Sequence, residues 1–325
     1  MTRHGGAAAR ILAALAAALT AAAAAAAPYP DRPIRFIVPF APGGGNDLIA
    51  RQLGARLAEA WGQQIVVDNR GGAGGNIAAE TAARSNPDGY TLFLFNSANA
   101  IAPSLYKRLG YDPVKDFEPV ILAATAPFVM VVHPSTPAQS VKDLIALAKA
   151  KPDTLTYASG GNGSATHLSA AMFTHMAGIQ MAHVPYKGAG PAFIDLLAGQ
   201  VTLYFSSIPP AIPHVKTGRV RVLAITSAKR FPLLPEYPTL AESGLKGYQS
   251  ESTYGITAPA RTPPEIVKKL NAGFGEVLKD ATVRSRLESQ GAQVGGGSAQ
   301  DYGQFIKAEV SLWAKVVKAS GARID

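Results

Sequence analysis

Three times in this chain a short β-branched or aromatic run empties into a glycine-rich turn, and the turn opens into a stretch of helical periodicity. Ile34-Arg35-Phe36-Ile37-Val38 leads to Pro42-Gly43-Gly44-Gly45-Asn46. Leu48, Ile49, Leu53 and Leu57 then mark one face of a helix from Asp47 to Trp61. Gln64 to Val67 repeats the device through Asn69 to Asn76 into a helix from Ile77 to Arg84, and Leu155 to Ala158 repeats it through Ser159 to Ser164 into a helix from Thr166 to Met176. Thr91 to Phe95 adds another strand. Strand, turn and helix in alternation predict an α/β fold, a parallel doubly wound sheet covered on both faces.

The pattern restarts after Pro127 with a strand at Phe128 to Val132 and a helix at Val141 to Lys149, and Val201 to Phe205 and Val220 to Ile225 read as further strands. Tyr254 to Ala258 returns the chain to the first unit, and helices from Pro264 to Leu278 and from Tyr302 to Ala319 close it, with a Gly/Ser loop at Gly295 to Ser298. This divides the chain into one lobe of residues 28–127 plus 251–325 and a second of 128–250. A chain that leaves one lobe, builds another and returns makes two connections, which suits a hinge.

The front of the chain sets the compartment. Met1 to Arg10 carries Arg3 and Arg10 and no acid, and Ile11 to Ala27 is a run of Ala and Leu broken by Thr20. That is the pattern of a signal peptide cleaved near Ala27, which predicts an exported protein. No Cys follows to take a lipid, and the two arginines are not adjacent, so neither a lipid anchor nor a twin-arginine route is indicated. With Cys 0, the exported protein must rest on its hydrophobic core; roughly 300 residues are enough to build one. No later stretch supplies the twenty or so apolar residues of a membrane span. The net charge of +9 loses two units with the leader, and the remaining Lys and Arg are scattered. Scattered charge on an exported chain argues against nucleic acid; it fits mild attraction for anionic solutes or plain solubility.

Each glycine turn is a candidate anion seat, because unpaired N–H groups and the helix dipole favour negative charge there and Gly lets the backbone approach. A tight turn with no ligand is the plain alternative for any one of them. Nucleotide motifs fail: Gly43 to Asp47 lacks the Lys-Ser/Thr of a P-loop, and neither Gly72-Ala73-Gly74 nor Gly161-Asn162-Gly163 is completed as a dinucleotide fingerprint. No Gly-x-Ser-x-Gly elbow exists. His167 and His175 lack metal-site spacing and are read as structural. No cofactor, metal or catalytic residue is expected.

Taken together, these segments resemble the Bug family, the tripartite-tricarboxylate-type substrate-binding proteins of bacterial periplasms. The resemblance rests on Pro39 to Asp47 with Ala50-Arg51, Asn69 to Asn76, Tyr111 to Phe117, Ser159 to His167, Val184 to Gly188 and Pro238 to Glu242. It implies a periplasmic-binding-protein fold of the two-hinge kind, a monomer closing on a small carboxylate and passing it to a membrane transporter. Carried over by position, it implies ligand contacts from Gly43, Gly44, Gly74, Gly75 and Ser97 in the first lobe and from Ser159, Gly163, Ser164 and Thr166 in the second, with Tyr186 at the rim. Asp47 reads as a helix-start residue, since a carboxylate would repel the ligand, and Lys187 as a surface lysine. Thr202 and Ser206-Ser207 stand where relatives often carry acids, which favours a plain carboxylic acid over an amino acid. Two other functions share these features: a sensor component presenting its ligand to a receptor kinase, and a hydrolase using Ser159 or Ser164 with His167 as base.

Overall fold

The computed structural model describes residues 29–320 apart from Ala41, Gly44 and Lys187. The leader and its cleavage point near Ala27, and the expectations for Gly44 and Lys187, lie outside the described residues.

Strand β1 (Ile34–Val38) has Ile34, Phe36, Ile37 and Val38 fully buried, as a strand covered on both faces requires. The following helix α1 (Gly45–Trp61) buries Ile49, Leu53 and Leu57 at four-residue spacing. β2 (Ile65–Asn69) and β3 (Thr91–Asn96) pair parallel with β1 on either side. A 3-10 turn at Ala73–Gly75 opens α2 (Asn76–Ala83), and α3 (Ser97–Leu105) starts directly from the end of β3. The chain then enters β4 (Phe117–Val132), a strand of 16 residues.

The second half begins with α4 (Val141–Ala150) and continues with β5 (Thr156–Ser159), α5 (Ala165–Ala177), β6 (Ala182–Pro185), α6 (Ala189–Leu197), β7 (Leu203–Ser207), α7 (Ile208–Lys216) and β8 (Arg221–Ile225). β9 (Glu251–Pro259) returns, followed by α8 (Pro264–Lys279), α9 (Ala281–Ser289), β10 (Gln293–Gly296) and α10 (Ala299–Ser320). Among the described residues no helix is long and apolar enough to cross a membrane.

The strands run in the order β2-β1-β3-β9-β4-β7-β5-β6, with β8 and β10 also paired to β4. Alternation alone predicts an all-parallel sheet; the observed sheet is mixed. β1, β2 and β3 are parallel, as are β5, β6 and β7, but β9 is antiparallel to β3 and β4, and β4 is antiparallel to β7, β8 and β10. The reason lies in the crossings. Residues 117–127 of β4 pair with β9, and residues 128–132 pair with β7 and β8. One strand thus serves both halves, and the returning strand lies antiparallel to it.

Thr226 fastens the place where partners change. Its N–H donates to the Phe128 carbonyl at 3.0 Å, its Oγ1 accepts the Phe128 amide at 2.7 Å, and its carbonyl accepts the Ser250 amide at 3.0 Å.

Candidate ligand-binding site

The starts of three helices converge on one cavity of about 510 Å³ between the two halves of the sheet. Asn46 comes from the first turn of α1, Asn96, Ser97 and Ala98 from the start of α3, and Asn162, Gly163, Ser164 and Ala165 from the start of α5. Gly74 contributes from the 3-10 turn before α2, and Ser252, Thr253 and Tyr254 from the returning strand β9. Phe40, Ile101, Leu105 and Tyr106 supply apolar wall. None of the described lining residues is Lys, Arg, His, Asp or Glu. Favourable potential for an anion must therefore come from helix N-termini and neutral donors.

A larger depression, about 570 Å³, lies between α1 and α9, lined by Arg51, Arg56, Arg286, Glu59 and Asp280 among others. It touches the first half only, and Arg56 is bonded to Asp280 and Glu59 within it. The cavity between the halves is the one lined by four of the residues expected from sequence.

Of those residues, Gly74, Ser97, Gly163 and Ser164 line the cavity, while Gly43, Gly75, Ser159, Thr166 and Tyr186 do not. The glycine amides are mostly occupied. Gly43 N–H donates to Asp47 Oδ2 at 2.9 Å, Gly75 N–H to the Gly72 carbonyl at 2.9 Å, and Gly163 N–H to His167 Nδ1 at 3.1 Å. Gly160 N–H donates to Thr166 Oγ1 at 2.9 Å, and Gly161 N–H to Ser159 Oγ at 3.1 Å. These turns are built by their own hydrogen bonds, so their glycines shape the loops. Gly74 shows why: its φ is 66°, and a Cβ there would lie 2.9 Å from the Tyr106 hydroxyl.

Ser97 is 4% exposed and is held by the hinge strand, its Oγ accepting the Thr253 amide at 2.8 Å. Ser159 is fully buried with its Oγ 2.6 Å from His183 Nε2, and Ser164 caps α5 by accepting the His167 amide at 3.2 Å. The hydrolase arrangement of Ser159 or Ser164 with His167 as base is not what forms. Tyr186 donates to Asp195 Oδ2 at 2.7 Å. Asp47 takes the helix-start role: burial pushes its carboxyl up, but hydrogen bonds from Arg51 and Gly43 outweigh that and hold it below the usual range.

Sequence reasoning missed Asn46, Asn96, Asn162 and Tyr254 as lining residues. Asn46 accepts from Asn96 Nδ2 at 2.8 Å through its Oδ1, which leaves its own amide hydrogens for a ligand. Burial raises the Tyr254 phenol, so it is a neutral hydroxyl beside the cavity. Two signals were present: Asn46 and Asn162 sit inside the glycine motifs, and Ser252 and Tyr254 alternate on one face of a strand.

A family model described as the tripartite tricarboxylate transporter family receptor, TctC, matches residues 49–322. The chain belongs to this family. Among its relatives is the protein BugT of Bordetella pertussis, 37% identical over 298 residues and covering 91% of each chain. A solved R. palustris structure with adipate is 41% identical, with a TM-score of 0.78, covering 91% of this chain and 100% of that one. MatC from Rhodopseudomonas palustris with bound malate is 34% identical, with a TM-score of 0.74, covering 89% of this chain and 100% of that one. The family is one of receptors, and the α/β architecture of this TctC receptor matches that of the periplasmic binding protein BugD.

Proposed function

We propose that this chain is an exported periplasmic receptor that captures a small carboxylate between its lobes and delivers it to a tripartite tricarboxylate-type membrane transporter. The observation that carries this reading is the convergence of three helix N-termini on a cavity without charged side chains. Neutral donors at helix starts hold a carboxylate while leaving it exchangeable, whereas a buried cation would bind it at a large desolvation cost. The relatives with adipate and malate support the ligand class. The lobes are residues 28–127 plus 251–325 and 128–250, and the protein works as a monomer.

In this reading Asn46 and Tyr254 on one side and Asn162, Gly163 and Ser164 on the other meet the ligand, and the Phe40, Ile101, Leu105 and Tyr106 wall takes its carbon skeleton. Gly43, Gly75, Ser159, Thr166 and Tyr186 act through the shape of the loops. The ligand contacts both lobes only in the closed state, so binding shifts the population toward closure.

The test is thermal unfolding of refolded mature protein against carboxylic acids and their amides. A ligand at about a hundred times its dissociation constant adds roughly 2.7 kcal/mol, several degrees for a chain of this size. A shift with one acid and none with its amide is expected. Equal shifts with acid and amide would overturn carboxylate capture, and tighter binding of aspartate or glutamate than of any simple acid would overturn the preference for a plain acid.

A further inference from the structure

The second-lobe wall of the cavity hangs on two imidazoles to which ligand capture itself assigns no task. His167, in the first turn of α5, is 7% exposed, and His183 reaches it from β6. Their rings are 4.0 Å apart and within 3° of parallel. Gly163 N–H donates to His167 Nδ1 at 3.1 Å, so that nitrogen carries no proton and the ring is an Nε2–H imidazole. His183 Nε2 lies 2.6 Å from Ser159 Oγ, the same oxygen that accepts the Gly161 amide at 3.1 Å. Two of the amides that fix the glycine loop, those of Gly161 and Gly163, therefore lead back to the pair.

Among the described residues, the groups bonded to or stacked on the two rings are neutral. Tyr157 of β5 stacks on His183 at 4.9 Å, β7 carries the buried Tyr204, and Tyr248 donates to the Ser169 carbonyl on α5. On α10, which packs against α5, Glu309 is bonded to Trp313. Among the described residues no carboxylate, lysine or arginine is hydrogen-bonded or ion-paired to either ring. Burial first, and the neighbouring His183 second, push His167 down to about 4, and burial lowers His183. A proton on His167 Nδ1 would set a donor against the Gly163 donor.

We propose that the stacked His167–His183 pair positions the ligand wall: unprotonated His167 holds the Gly163 amide and so presents Gly163 and Ser164 to the ligand, and acid that charges the pair frees the loop and the bound anion. The ligand half of this statement rests on the carboxylate reading; the loop half does not.

The loop half is tested on ligand-free mature protein by ¹⁵N nuclear magnetic resonance of the histidine rings and the Gly163 amide, with circular dichroism following the fold. At pH 7 the expected result is an unprotonated His167 Nδ1, and on acidification His167 and Gly163 move together while the protein remains folded. A protonated Nδ1 at pH 7, or a Gly163 resonance indifferent to His167, overturns the proposal. The ligand half uses adipate and malate as probes on wild type, His167→Asn, which retains an acceptor, and His167→Leu, which does not. His167→Leu should weaken binding about tenfold at pH 7, the worth of one lost hydrogen bond. His167→Asn should bind near the wild-type level at pH 7 and lose less affinity between pH 6 and 4, since the acceptor for the Gly163 amide then carries no proton and only His183 and the probe's own carboxyls titrate. Superimposable pH profiles for wild type and His167→Asn overturn it. Failure of both probes on wild type strikes the carboxylate reading instead, and the resonance experiment still decides the loop.

Discussion

Asn96 accepts the Ala98 amide at 2.9 Å, donates its own amide to Asn99 Oδ1 at 3.0 Å, and donates through Nδ2 to Asn46 at 2.8 Å. The first two bonds form the capping box of α3, and the third fixes a cavity donor. Asn96→Ala should cost about 1–2 kcal/mol in denaturant unfolding and weaken ligand binding. Asn96→Asp separates the two roles, because a carboxylate still caps the helix but cannot donate to Asn46 and brings negative charge to an uncharged cavity. It should unfold later than the alanine variant in the same titration yet bind the anion more weakly by calorimetry. A stronger-binding aspartate variant would show that the cavity prefers a cation. The sequence announced the loops in which these residues lie because glycine clusters mark turns. It did not announce Asn96, since Ser97-Ala98-Asn99-Ala100 has no apolar period and Pro103 interrupts the next turn, so α3 and its cap carry no helical signature.

Elements with their own periodicity were legible, and those defined by partners were not. β1, α1, β3, α5 and α8 carry apolar spacing that their burial repays. The first part of β4 was missed because Pro119 and Pro127 argue against a strand, yet its antiparallel pairing with β9 tolerates them through register shifts at Pro119/Ile121 and Leu122/Ala124. α7 hides behind Pro209 and Pro210, which a first helical turn accepts. The docking of α10 yields a pH prediction. Burial, which the Trp313 hydrogen bond partly offsets and the Glu251 carboxylate reinforces, raises Glu309 from 4.5 to about 7. In the unfolded chain that carboxyl releases its proton near 4.5, while the folded chain keeps it until about 7. Stability from this group is therefore present below the first value and lost as pH rises through the second. Glu309→Gln keeps an acceptor for Trp313 and should gain about 2 kcal/mol at pH 8 and little at pH 4.5. Thermal melts at the two pH values decide it, and an equal gain at both would remove the charge explanation.

At the scale of the molecule, the two lobes proposed for this chain are less separate than their sheets suggest. One apolar cluster holds Ile37, Phe93 and Phe117 from the first lobe, Met130, Leu168 and Phe173 from the second, and Trp313 and Val316 from α10. The other two clusters each stay within a lobe. α10 packs against both α3 and α5, so it forms a common back to the cleft while β4 and β9 pass across the hinge. If the lobes close as proposed, closure bends the strands near Thr226 and Ser250 without opening the shared core, and a bound acid should lower the radius of gyration in X-ray scattering. Two-lobed chains with independent cores unfold in two steps. Here removal of either lobe exposes the face of the shared cluster, so calorimetry of the mature protein should give a single transition that ligand moves as a whole. Two resolved transitions, only one of them shifted by ligand, would mean that the hinge strands alone hold the lobes together and that α10 stabilises only the first of them.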